Sequence, residues 1–188
     1  MTGSRRLSQA ISAGDGISVI AVVGDAAARA AEEQGAEALA VTGAVAGLRD
    51  ATSLPILWLG ATAAENADAC LLRVGEADSE FEAPYDAIVG GGYECVVDVS
   101  NEEELRLVLE WIDPEIFLLS PREAGEGVEA LERVLDLLPD VPAGKLAIAE
   151  LPLTTREDVV ALERAGVDAV LVASGDVDEL VGAAPPEV

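Results

Sequence analysis

Asp98 and Glu150 are the residues best placed to do chemistry. Asp98 sits within the apolar run CVVDV (Cys95–Val99), and Glu150 closes the run LAIAE. An ionised carboxylate in an apolar strand must find a cavity mouth, a counter-charge or a set of hydrogen bonds. One reading is a pair of acids with raised pKa values at a site. The other is a pair of polar mouth residues, hydrogen-bonded to Ser120 or to water. Ser120 follows the run EIFLL, and Arg122 comes two residues later. Its guanidinium can clamp an anion through two parallel bonds, or it can balance an acidic surface. Thr154, Thr155, Ser174 and Gly175 flank the last two apolar runs and offer donors of the kind that hold a phosphate. Either threonine also reads as a helix cap. Asp98 and Glu150 are therefore the catalytic candidates, and Ser120, Arg122, Ser174 and Gly175 the ligand-binding ones.

The absences narrow the chemistry. The chain has no His, which removes the commonest general base and metal ligand. A zinc site or a Ser-His-Asp triad is excluded, and neither a metal nor a cofactor is expected. Lys145 is the only lysine and precedes the seventh apolar run. Cys70 and Cys95 lie in the apolar runs ACLL and ECVV. They read as buried thiols, with no disulfide.

The elements that must position these groups are clearest from Lys145 to Gly175. Leu146–Ala149 is a short apolar strand. Thr154 or Thr155 caps a helix with Glu157 and Asp158 in its first turn. Gly166 ends that helix, and Ala169–Val172 is a second apolar strand. Strand, helix, strand with short links is a parallel βαβ unit, and continuously apolar strands belong to a sheet covered by helices on both faces. The same pattern recurs upstream. Strands are predicted at Ile17–Val23, Ala38–Val41, Pro55–Leu59, Ala69–Val74, Cys95–Val99 and Glu115–Leu119. Helices are predicted at Asp25–Gln34, Ala44–Arg49, Ala61–Ala67, Tyr85–Val89, Glu102–Trp111 (capped by Asn101), Val128–Leu138 and Val177–Val181. Trp111 and Phe117 read as packing residues, and Glu102-Glu103-Glu104 as a solvated helix start. Eight such units predict a compact (β/α)8 TIM barrel with shortened helices. The competing doubly wound sheet would show a Gly-rich fingerprint after its first strand, and Val23-Gly24-Asp25-Ala26 has none. Residues 1–188 are expected to form one barrel domain, with 1–15 as a short N-terminal lead-in.

Composition adds partners to exclude. There are 36 acids against 11 bases, a net charge of -25, which argues against nucleic acid or an anionic membrane. No apolar run is long enough to span a membrane. Arg5-Arg6 is followed by Leu-Ser-Gln-Ala and not by an apolar stretch, so no signal peptide is predicted and the expected location is cytoplasmic. Abundant acids, one lysine and much Ala resemble the proteins of salt-accumulating halophiles. An acidic protein from a high-GC bacterium is the plainer alternative.

Four segments, in order, resemble indole-3-glycerol phosphate synthase, a ribulose-phosphate-binding barrel of tryptophan biosynthesis. GISVIAVV (Gly16–Val23) is similar to the family's first strand, ISVIAEVKR-like. LPILWLG (Leu54–Gly60) is similar to its third, LPVLRKDF-like. CVVDVSNEEEL (Cys95–Leu105) is similar to its fifth, LVEVHDEEEL-like. AIAELPLTTREDVVALERAGVDAVLVASG (Ala147–Gly175) resembles its seventh and eighth. The resemblance implies ring closure of a carboxyphenylamino-deoxyribulose phosphate with loss of CO2 and water, driven by lysines and glutamates. Most of those positions have changed. The first-strand glutamate falls on Val22 and the lysine on Gly24, and the third-strand lysine falls on Leu59, beside Trp58. The fifth-strand glutamate becomes Asp98 and the sixth-strand asparagine Ser120. The seventh-strand glutamate is kept as Glu150. The Ser-Gly that follows it becomes Leu151-Pro152, and proline has no N–H for a phosphate. The eighth-strand pair becomes Ala173-Ser174, with Gly175 next.

The resemblance thus implies a synthase-like barrel that has lost the lyase chemistry and acts as a binding or protein-interaction subunit. The alternatives are an active synthase, or another phosphosugar enzyme, with a rearranged site. A phosphorylated sugar-like molecule is the expected ligand, and a protein partner or a second copy of the chain is the expected assembly.

Overall fold

The apolar runs form strands because each is buried on both faces. The computed structural model describes residues 5–14, 16–24, 27–43, 47–60, 64–74, 81–122, 128–151, 154–173 and 177–180. Strands β1 (Ser18–Val22), β2 (Ala38–Val41), β3 (Ile56–Trp58), β4 (Ala69–Arg73), β5 (Glu94–Val99), β6 (Ile116–Leu119), β7 (Leu146–Glu150) and β8 (Ala169–Ala173) pair in sequence order into a closed barrel. All pairs are parallel, and β1 closes on β8 from Ser18↔Ala169 to Val22↔Ala173. The expected (β/α)8 barrel is therefore the observed fold.

Alternate residues of each strand serve two cores. Ile20, Leu57, Leu71, Val96, Leu118, Ile148 and Leu171 fill the barrel interior, with Ala38, Ala40, Ala69 and Ala169 as the small partners between them. Val19, Leu39, Cys70, Cys95, Val97, Phe117 and Val170 face outward into the layer beneath the helices. Phe117 is fully buried there.

The helices are α1 (Arg6–Ala13), α2 (Ala28–Glu33), α3 (Leu48–Ala51), α4 (Glu82–Gly90), α5 (Glu102–Trp111), α6 (Val128–Leu137, extended by a 3-10 turn over Leu138–Asp140), α7 (Arg156–Ala165) and α8 (Val177–Leu180). Several are short, as expected: α2 has six residues and α3 four. None of the described helices is long and apolar enough to cross a membrane. Asn101 caps α5 by accepting from the Glu104 N–H at 2.9 Å. Thr155 caps α7 in a capping box with Asp158, and Gly166 ends it at φ 96°, a conformation that suits only glycine without strain.

Several boundaries differ from the sequence reading. Within the segment predicted as a lead-in, Arg6–Ala13 forms α1, which packs against the barrel interior. Leu7 and Ile11 of α1 belong to the interior core and close the floor of the barrel. Glu94, at the start of β5, accepts from the Leu7 and Ser8 N–H groups at 2.7 and 3.1 Å, so a carboxylate caps the helix N-terminus. α4 begins earlier than predicted, because Pro84 in its first turn lacks only an N–H that has no helical partner. Of the helix predicted at Ala44–Arg49, Leu48 and Arg49 belong to α3 (Leu48–Ala51), and 44–46 lie outside the described residues. Residues 64–67 of the segment predicted as Ala61–Ala67 form a turn, with Asn66 at φ 69° and Ala67 N–H donating to the Ala64 carbonyl at 3.3 Å; 61–63 lie outside the described residues. Trp111 was expected to pack but is 51% exposed, because Ile112 takes the buried place at the helix end.

Candidate active site at the carboxyl ends of the strands

The inward alternation that fills the barrel also decides what its C-terminal mouth presents. On one side stand Val22 at the end of β1 and Leu59 just after β3, both packed against the interior core. On the other side Arg73 ends β4, in register with Asp98 on β5, and Ser120 and Glu150 follow on the next two strands. The mouth therefore has an apolar half and a charged half. Trp58 has the opposite parity. It packs against the outer core beneath Gly60, whose Cα hydrogen faces the indole ring.

Asp98 is 2% exposed and is met by three donors. The Ser120 hydroxyl donates to Oδ1. Arg122 Nη1 lies 2.9 Å from Oδ2, and Arg73 Nε donates to Oδ2 at 3.3 Å. The loop after β6 sets this up. Ser120 N–H continues the ladder by donating to the Val99 carbonyl at 3.1 Å, and a tight turn brings Arg122 N–H within 2.7 Å of the Ser120 carbonyl. Arg122 then reaches across β5. Its Nη2 donates to both oxygens of Glu104 at 2.8 and 2.7 Å, to Ser100 Oγ at 3.1 Å and to the Val74 carbonyl at 3.4 Å.

Glu104 corrects the reading of the Glu102-Glu103-Glu104 cluster. It is buried, and Ser100 donates to it through N–H at 2.8 Å and Oγ at 3.0 Å. Asn101 aims it by capping the helix at its own N–H. Burial works against the charge on Arg122, but the facing Asp98 and Glu104 carboxylates outweigh it and raise its pKa above the ordinary arginine value. Glu150 stands apart. Burial is the main cause that raises its carboxyl above the usual range, and the nearby Asp98 charge adds to this, while Arg73 and Arg122 pull the other way.

Of the residues singled out from sequence, Asp98, Ser120 and Arg122 are in direct contact, and Glu150 shares their field. Ser174 and Gly175 lie outside the described residues. Thr155 is engaged as a cap: its Oγ1 accepts from the Asp158 N–H at 3.2 Å and donates to the Asp158 carboxylate at 2.7 Å. Lys145 Nζ pairs with Asp113 at 2.5 Å, before β7 and at the opposite end of the barrel from the mouth. Arg73 and Glu104 are members of the cluster that the sequence reading passed over. An arginine ending the apolar run ACLLR at an inward position is the signal that pointed to Arg73. Among the described residues no group of three or more His, Cys, Asp or Glu could hold a metal ion.

No family model matches the chain. Curated relatives do. The indole-3-glycerol phosphate synthase of a Geobacillus species is 31% identical over 169 residues, covering 78% of this chain and 65% of the relative. That of Shouchella clausii is 29% identical over 167 residues, covering 78% of this chain and 66% of the relative. The chain is similar to the indole-3-glycerol phosphate synthases. It spans less than two thirds of the length of these two synthases. Among solved structures, the N-acetylmannosamine-6-phosphate 2-epimerase of Clostridium perfringens superposes with a TM-score of 0.67 at 16% identity, over 87% of this chain and 88% of the epimerase. That likeness concerns the fold alone. The synthase resemblance places a glutamate and a lysine at positions occupied here by Val22 and Leu59, both packed on the apolar half of the mouth.

Proposed function

We propose that this chain is a synthase-like barrel that has given up the lyase chemistry and acts as a binding subunit. The observation that carries the reading is the fate of the lysines. The resemblance calls for two at the mouth, and the single lysine of the chain is paired with Asp113 at the other end of the barrel. The arginines at the mouth cannot replace a lysine general acid, because a guanidinium holds its proton too tightly to deliver it. Arg122 holds it more tightly still, between Asp98 and Glu104. Loss of catalytic groups that act together costs orders of magnitude in rate. The ligand expected is a phosphorylated sugar-like molecule. A protein partner or a second copy of the chain is the further possibility, and light scattering in high KCl tests it: an assembly supports it, and a monomer sinks it.

One observation favours a second reading. Glu150 keeps its proton to higher pH than an ordinary glutamate, and a carboxylic acid of that kind can serve as a general acid. An active synthase with a rearranged site would use Glu150 with Asp98. Calorimetric titration with the carboxyphenylamino-deoxyribulose phosphate, followed by fluorescence detection of an indole product, separates the two. Binding without turnover is the expected result. Turnover that disappears in Glu150→Gln would overturn the binding-subunit reading and establish the second.

A further inference from the structure

The two arginines at the mouth differ in what they have left to give. A guanidinium carries five N–H donors. Arg122 is 33% exposed, and both of its terminal nitrogens are spent on Asp98, Glu104, Ser100 and the Val74 carbonyl. An incoming anion could take Arg122 only by displacing a buried carboxylate. Arg73 is 61% exposed. Its Nε donates to Asp98 at 3.3 Å, and among the described residues its two terminal nitrogens have no hydrogen-bond partner. The contact with Asp98 also anchors it, because a guanidinium held at Nε presents its outer Nη edge in a fixed direction.

The rest of the mouth sets the kind of ligand. The charge on Asp98 is already answered by three donors, so a cation gains little there. The capacity left over is donor capacity, and it belongs to Arg73. On the preceding strands, Leu59 just after the neighbouring β3 and Val22 at the end of β1 offer an apolar wall. We infer that Arg73 is the anion-binding residue of the mouth, and that it takes the carboxylate or phosphate of a small organic molecule whose apolar body lies against Val22 and Leu59. This rests on the reading that the mouth is a ligand site. It places the anion beside β4 and β5, away from the loops after β7 and β8, where the synthase resemblance would put a phosphate.

The test is calorimetric titration of the full chain, at one fixed high KCl concentration, with benzoate and separately with inorganic phosphate. Wild type, Arg73→Gln and Arg73→Lys are compared. An exposed side chain with one hydrogen bond is a safe place for substitution, and an unchanged melting temperature verifies that each variant is folded. Wild type is expected to bind at least one probe, and Arg73→Gln to weaken it by about tenfold or more, the range of a charge-assisted hydrogen bond. A preference for benzoate assigns a carboxylate on an apolar body, with little rescue by Arg73→Lys, which lacks the fork. A preference for phosphate, partly rescued by lysine, assigns a phosphate ester. Equal binding by wild type and Arg73→Gln overturns the inference, and so does a wild type that binds neither probe. If the synthase substrate still binds in either of those cases, only the role of Arg73 has failed and the binding-subunit reading stands.

Discussion

Replacing Arg122 with Gln tests whether the charged half of the mouth is a fixed structure. The change removes the cation that bridges two buried carboxylates, at 2.9 Å from Asp98 and 2.7 Å from Glu104. Breaking a buried pair by deleting one partner costs roughly 3–5 kcal/mol. Here the penalty is smaller, because Arg122 is one-third exposed and each acid keeps other donors. Asp98 retains Ser120 and Arg73, and Glu104 retains the N–H and hydroxyl of Ser100. A loss of about 2–3 kcal/mol is the result, which for a domain of this size lowers the melting temperature by about 4–12 °C. Urea denaturation in high KCl is the assay, with the m-value unchanged so that the midpoint alone reports stability. Molar salt shortens the Debye length to about 3 Å. It therefore silences exposed pairs such as Arg106–Glu110 but leaves this buried one in place. Glu104→Gln and the double variant complete the cycle, with a coupling energy of about 1–2 kcal/mol between the two positions. A single variant within about 0.5 kcal/mol of wild type, or a strictly additive cycle, would refute the view that Glu104 and Arg122 hold each other in place.

Three further outcomes follow from named contacts. Leu7→Ala costs about 2–5 kcal/mol in the same denaturation assay, because Leu7 is fully buried in the barrel floor; a cost like that of a surface change would mean that α1 is not the plug. Glu150→Gln is more stable than wild type at neutral pH. A carboxyl whose folded pKa is raised binds its proton better when folded, so wild-type stability falls as pH rises from the ordinary glutamate value toward the raised one. The advantage of the amide vanishes below that window, and melting temperatures that show no such pH dependence would contradict the partial burial of Glu150. Alkylation of Cys95 at neutral pH is no faster than global unfolding, since burial pushes its thiol up to about 12 and the neighbouring Cys70 adds to the effect; rapid labelling of the native protein would show that the layer beneath α4 opens.

The strands were legible in the sequence because a doubly buried strand needs nothing beyond its own residues: a short apolar run between turn signals. Helices α5 and α7 were legible for a similar reason, since Asn101 and Thr155 cap them within three residues. What escaped notice depended on distant partners. The role of α1 rests on Glu94, 87 residues beyond Leu7, and on its own the segment shows only a weak apolar pattern. Three successive glutamates at 102–104 look alike along the chain. Only Glu104 is buried, because it faces back toward Ser100 while a loop from another strand lays Arg122 across it. Arg73 was readable in principle, from its inward parity at the end of β4. What sets it apart from Arg122 is spatial: the terminal nitrogens of Arg122 are engaged by Asp98 and Glu104.

The charge of the whole chain then bears on how the mouth can be used. Asp98, Glu104 and Glu150 face Arg73 and Arg122, so the cluster is balanced only when Glu150 keeps its proton, the form that burial favours. Outside it lies a molecule with a net charge of -25, whose summed field repels an approaching anion. An anion held by arginine ordinarily binds more weakly as salt rises, because both charges are screened. Here salt also screens the long-range repulsion, and the two effects act on different steps. The contact with Arg73 governs the dissociation rate, whereas the field of the surface acids governs the encounter. Stopped-flow measurement of an anionic ligand should therefore show an association rate that rises with KCl before it levels off, alongside a dissociation rate that also rises. An association rate that falls from the lowest salt upward would mean that the local field at the mouth is positive despite the acidity of the whole, and that the two arginines outweigh the surface around them.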